Sequence, residues 1–188
     1  MIYFEDKKLK LFVLISFNLS KNQATISLNS INFFNSEKDL LTHIEKNKLI
    51  IAKKSNSVEF ETIQKVIELI KTYFSGEKIN LYEEIQELGI DLSIDKKFPS
   101  RFSKEIIHYL VENVNYGEFT TYSDIGNAIN TKAYRAIGNV MKKNPLPLII
   151  PCHRVIRKNG TLGGFMGEAN DSWQKNLKLN LLKIEGIK

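Results

Sequence analysis

Three of the chain's four prolines fall within the thirteen residues NPLPLIIPCHRVI, Asn144 to Ile156, and no regular helix can pass through them. Each proline fixes its own φ, lacks an N–H and pushes the residue before it towards an extended conformation. The chain therefore runs stiff and extended up to Cys152, its only cysteine. Apolar Leu148, Ile149 and Ile150 ahead of the thiol demand burial, while His153 and Arg154 behind it offer a base and a fixed positive charge. That flank favours the reactive thiolate. A buried structural cysteine is the commoner fate of a lone thiol in an apolar run, and both readings stand on these residues alone.

Upstream of the prolines the periodicity is helical. Ser100 is placed to cap a helix whose Phe102, Ile106, Leu110 and Val114 recur every fourth residue, with Gly117 to stop it. In TTYSDIGNAI, Thr121 and Asp124 have capping-box spacing, and Ile125 and Ile129 face inward. After a break at Asn130-Thr131, KAYRAIGNVMKKN sets Ala133, Ala136, Ile137, Val140 and Met141 on a narrow apolar side, beside Lys132, Arg135, Lys142 and Lys143. Two short helices around a tight break, the second basic and rich in small residues, fit a helix-turn-helix; an ordinary α-hairpin fits them too. Downstream, Gly160, Gly163, Gly164 and Gly167 form either a loop that approaches something flat or bulky, or a plain hairpin turn. The final LNLLKIEG ends an amphipathic helix with Glu185 near its terminus, where an acid usually meets water.

The first half has a different texture. KLKLFVLISFNLSKNQATISLNSINFF predicts two strands joined at Ser20-Lys21-Asn22, with Ile26 and Leu28 alternating against polar neighbours. ETIQKVIELIKTYFSG places Ile63, Val66, Ile67, Ile70 and Phe74 on one helical face, with Gly76 to end it. The weakly periodic stretch before Pro99 sets a domain boundary: residues 1–95 form a small α/β domain, and 96–188 a mostly helical one.

Charge divides the same way. Up to Ile94 there are 12 Lys, no Arg and 13 acids; from Asp95 on there are 15 Lys and Arg against 8 acids, and the whole chain carries +6. The basic half is suited to an anionic partner, nucleic acid first. No apolar run approaches the roughly 20 residues of a membrane helix, and the acidic start MIYFED does not read as a signal peptide. A cytoplasmic address follows, or a nuclear one in a eukaryote. One cysteine and three scattered histidines give no metal spacing.

Taken together, FTTY, RAIGNVMKKNPLPLIIPCHRVI, GTLGGFMG and LLKIEG closely resemble the O6-alkylguanine-DNA alkyltransferases, or methylated-DNA-protein-cysteine methyltransferases. The resemblance is dense over residues 98 to 188 and thinner before them, through LIKTYFSG and the strand-rich start. It implies an α+β/α fold: an RNase H-like N-terminal α/β domain, then a winged helix-turn-helix-like domain holding the cysteine. It implies a monomer, without cofactor or metal, that binds double-stranded DNA through the minor groove and flips out the alkylated base. Cys152 would take the alkyl group from O6-alkylguanine, chiefly O6-methylguanine, irreversibly and once, with O4-methylthymine left open as a second substrate.

By the same resemblance His153 acts through a water as the base for the thiol and Glu185 orients it. Tyr122 hydrogen-bonds the guanine ring, and Asn144 pins the turn below the site. Met141, Pro147, Val155, Phe165 and Met166 form the substrate pocket, with the Cys152 and Val155 carbonyls accepting the base's amino group. Arg135 fills the space left by the base, Ala133 and Ala136 allow close approach, and Lys132, Lys142, Lys143 and Arg154 face the DNA. Phe165 stands where a tyrosine is often found, Met166 replaces a small residue, and the zinc ligands of some relatives have no counterpart. A lesion sensor on the same scaffold would lack Cys152, a helix-turn-helix transcription factor leaves PCHRV unexplained, and adjacent Cys and His with no oxyanion-hole segment suit a hydrolase poorly.

Overall fold

Alternating apolar residues near the start of the chain pair into a sheet that one long helix covers. In a computed structural model, which describes residues 1–19, 25–52, 57–168 and 172–188, strands β1 (Ile2–Asp6), β2 (Leu11–Leu19) and β3 (Ile26–Phe34) form an antiparallel sheet in that order. The predicted joint at Ser20-Lys21-Asn22 lies outside the described residues. Ile26 and Leu28 are buried as their alternation requires. Helices α1 (Glu37–Lys46), α2 (Val58–Ser75), α3 (Leu81–Glu87) and the single turn α4 (Ile94–Lys97) follow. All five residues predicted for the inner face of α2 are buried, and Gly76 ends the helix at φ 101°, a left-handed conformation in which glycine meets no Cβ penalty.

The second half begins with α5 (Arg101–Asn113), capped by Ser100 Oγ as expected. It ends at Asn113, short of Gly117, because the backbone leaves helical geometry at Val114 (φ −124°). The two-residue strand β4 (Thr120–Thr121) leads into α6 (Tyr122–Ala128), then α7 (Tyr134–Lys142). The Thr121–Asp124 capping box forms in both directions. The break between these helices includes Asn130 at φ 53°. Gly126 makes the tight crossing possible: a Cβ there would stand 2.6 Å from Thr131 O and 2.6 Å from Tyr134 Cε1. Gly126→Ala is expected to force α6 and α7 apart at a cost of about 1–3 kcal/mol, measurable as a lower urea midpoint.

A single 3₁₀ turn (Cys152–Arg154) follows the proline-rich stretch and runs into β5 (Val155–Ile156), and α8 (Trp173–Ile184) closes the fold. β5 pairs in parallel with β4, Thr120 opposite Val155, which fixes the cysteine turn to the start of α6. The halves are not insulated. One continuous cluster of buried side chains extends from β2 and α2 to α8, and the Ile31 N–H of β3 donates to Pro145 O at 2.9 Å. Among the described residues no helix is long and apolar enough to cross a membrane.

Candidate active site

Cys152 sits where the rigid stem ends and the 3₁₀ turn begins, 7 % exposed at the floor of a cavity of about 180 Å³. Tyr122 and Gly138 wall one side, Met141 and Lys142 another, and the loop from Gly164 to Glu168 covers the rest. Asn144 holds the stem. Its Nδ2 donates to Ile150 O at 3.0 Å and lies 3.2 Å from Cys152 Sγ, while its Oδ1 accepts the Leu146 N–H at 2.9 Å. Burial pushes the thiol's pKa up, and the Asn144 bond only partly opposes it. The flanking charges therefore do not deliver a resting thiolate, contrary to the sequence reading; the thiol needs a base when it reacts.

Behind the cysteine lies a buried polar cluster centred on Glu185, the residue after the last turn of α8. His153 Nε2 lies 2.8 Å from Oε1, Arg154 Nε donates to Oε2 at 2.9 Å and Arg154 Nη2 to Oε1 at 3.0 Å. Tyr73, reaching across from α2, donates its phenol proton to Oε1 at 2.6 Å. Burial pushes the Glu185 carboxyl up, but the bonds and charges of His153 and Arg154 outweigh it and bring its pKa down to about 2. Because guanidinium never loses its proton, the part of this lowering that Arg154 supplies persists whatever the state of His153. Burial lowers the His153 pKa, with Glu185 pulling the other way. A neutral ring facing a carboxylate, which only accepts, carries its proton on Nε2. Nδ1 is left bare, and it has no hydrogen-bond partner among the described residues.

Arg154, expected on the DNA face, is instead turned inward: it is 7 % exposed and its Nη1 donates to Val114 O at 2.7 Å. Two of the five expected pocket residues are also absent from the cavity wall. Pro147 is buried in the stem, and Val155 lies in β5 with its carbonyl accepting Lys178 Nζ at 2.6 Å. The Cys152 carbonyl likewise accepts the Val155 N–H, so each has one lone pair left. Met141, Phe165 and Met166 do line the cavity. Met166 adopts φ 50°, a left-handed backbone that costs a side-chain-bearing residue roughly 1 kcal/mol.

Chain similarity agrees with this geometry. Residues 101–187 match the family model described as "6-O-methylguanine DNA methyltransferase, DNA binding domain". The methylated-DNA-protein-cysteine methyltransferase of Archaeoglobus fulgidus is 38% identical over 118 residues, covering 63% of this chain and 71% of that protein. The chain belongs to the methylated-DNA-protein-cysteine methyltransferase family. The Saccharolobus islandicus protein of the same name is 36% identical over 135 residues, covering 71% and 76% of the two chains. In fold, the chain matches the crystal structure of the O6-methylguanine-DNA methyltransferase of Pyrococcus kodakaraensis (TM-score 0.60, 23% identity, 98% and 96% covered). It also matches the structure of Mycobacterium tuberculosis OGT in complex with DNA (TM-score 0.57, 21% identity, 99% and 93% covered).

In this family member Lys132, Ala133, Arg135, Lys142 and Lys143 are exposed along α7 and its ends, and Ala136 is half-buried. Arg157 and Lys158, not singled out from the sequence, join Arg135 and Tyr134 around an open groove beside Tyr122. Lys178 was missed as well. Fully buried in α8, it donates to Val155 O and Leu162 O at 2.6 Å each and to Gly164 O at 3.4 Å, and burial lowers its pKa to about 8. It ties the glycine loop to β5. Lys178→Met is expected to leave these carbonyls unpaired at a cost of about 1–3 kcal/mol, with amide exchange rising first in residues 160–168. Among the described residues no group of three or more His, Cys, Asp and Glu is placed to hold a metal.

Proposed function

We propose that the chain repairs alkylated DNA by direct reversal, moving the alkyl group of a flipped-out O6-alkylguanine onto Cys152 in a single turnover. The observation that carries this reading is the thiol itself: it is pinned by Asn144 at the floor of a small cavity and backed by a histidine anchored on Glu185. Nδ1 of His153 takes the thiol proton through a water. Sulfur then attacks the saturated alkyl carbon in line with the bond to O6, the carbon–oxygen bond breaks, and the pair of electrons leaves with guanine. Burial raises the Tyr122 pKa, so its phenol stays protonated and donates to the purine as negative charge develops there. Met141 and Phe165 pack on the ring. The thioether has no easy leaving group, and the protein stops after one turn.

DNA enters from the α7 side. Lys132, Lys142, Lys143, Arg157 and Lys158 hold phosphates without reading sequence, Ala133 and Ala136 let the helix sit close in the minor groove, and Arg135 fills the gap left by the base. One chain suffices, because one thiol serves one lesion. Titrating the protein into duplex carrying O6-methylguanine and counting restored guanines tests the reading: repair should saturate at one per chain. Repair beyond that would mean a catalytic enzyme that regenerates, and no repair would leave lesion binding alone.

A further inference from the structure

The N-terminal half supplies one group to the reactive cluster, and the reaction as proposed gives that group no role. Tyr73 is fully buried near the end of α2. Its hydroxyl lies 2.6 Å from Glu185 Oε1 and 3.1 Å from His153 Nε2, residues that follow it in the chain by 112 and 80 positions. Its ring meets the imidazole edge-on, centroids 6.2 Å apart, and meets Tyr116 edge-on at 5.9 Å. Tyr116 in turn donates to Gly76 O and Ile184 O at 3.1 and 2.9 Å, clamping the end of α2 against the end of α8. A phenylalanine would fill the same apolar space, so packing alone does not account for a buried hydroxyl aimed at these two atoms.

We propose that Tyr73 is a positioning residue for alkyl transfer: its phenol shares Glu185 Oε1 with His153, holding the imidazole with Nδ1 towards the thiol and limiting the ring's proton affinity. The inference rests on the reading of Cys152 as nucleophile and His153 as its base. The charge logic is local. Around His153 stand Glu185 and Lys178 from α8 and its end, Arg154 and Cys152 from its own turn, and Tyr73 from α2, with Tyr116 behind it. Lys178 is bound to backbone carbonyls. Oε1, the carboxylate oxygen facing the ring, accepts from two side chains besides His153: Arg154 Nη2 at 3.0 Å and, closer, the Tyr73 phenol at 2.6 Å, so the phenol is the shorter of the two bonds that draw charge out of that oxygen. Without it Arg154 Nη2 is left as the other donor, more of the charge of Oε1 falls on the imidazole, and its protonated form, which cannot accept the thiol's proton, is favoured.

The test is the pH dependence of Cys152 labelling by iodoacetamide, which needs no DNA, beside alkyl transfer from lesion duplex. Tyr73→Phe is expected to label and transfer roughly 10-fold more slowly at pH 7, with its acid limb moved to higher pH and its affinity for lesion duplex unchanged. Difluorotyrosine at position 73, a stronger donor in the same space, should move that limb to lower pH. If neither variant moves the limb relative to wild type, whatever their melting temperatures, the role is structural and the proposal is overturned; should Tyr73→Phe not fold, the fluorinated residue decides. A wild type that labels normally but leaves the duplex unrepaired would instead sink the alkyl-transfer reading.

Discussion

Glu185→Gln is expected to lose about 3–5 kcal/mol of folding stability and most of the alkyl-transfer rate. Glutamine keeps the shape of the side chain but removes its charge, leaving the Arg154 guanidinium buried with no counter-charge and His153 without its anchor. The same carboxylate makes the wild type acid-sensitive. Its folded pKa of about 2 lies below its ordinary 4.5, so the stabilisation is present above about pH 4.5 and is lost as pH falls towards 2, roughly 3 kcal/mol in all. His153 adds to the acid loss, since burial holds it below its ordinary 6.5 and the unfolded chain takes up that proton more readily. Urea unfolding at pH 7, 5 and 3 should show the two proteins far apart at neutral pH and converging in acid. A constant gap across that range would mean that the carboxylate's charge contributes nothing to the fold.

Cys152→Ser is expected to slow transfer by at least about 10³-fold while still binding the lesion duplex. Oxygen is less polarisable than sulfur, and a serine hydroxyl is far harder to deprotonate than a thiol, so His153 gains little by removing its proton. Serine is close to cysteine in size and keeps a hydrogen-bonding atom facing Asn144, which preserves the stem. Single-turnover repair kinetics and gel-shift affinity, measured on the same preparation, separate the two effects. Residual transfer near the wild-type rate would move the nucleophile elsewhere.

The features legible in the sequence were those written by local rules. Proline spacing placed Cys152 on a stiff stem, the Thr121–Asp124 box marked the start of α6, and the face of α2 followed from its period. The short β1, α1 and α3 carry too few apolar positions to stand out, and their form comes from packing on β2 and α2. Site residues divide on the same line. The resemblance places Cys152, Asn144, Tyr122 and Glu185, but the direction of Arg154 depends on a 3₁₀ turn whose side chains follow no spacing rule, so the guanidinium could be read as facing outward. Tyr73 and Lys178 carry only a core-like signal in sequence, a polar tip on an apolar helix face; the partner atoms that give those tips a purpose lie on distant segments. Glu185 reverses the usual fate of a terminal acid because three donor side chains converge on it there.

Intact-protein mass spectrometry after mixing with excess duplex carrying O6-methylguanine tests alkyl transfer to Cys152 most directly. The account predicts a gain of one methylene, about 14 Da, on the wild type, never more than one per chain, mapped to the Cys152 peptide and absent from Cys152→Ala. An unmodified wild type that binds the lesion duplex better than the undamaged one, or a methyl group on any other residue, would contradict it.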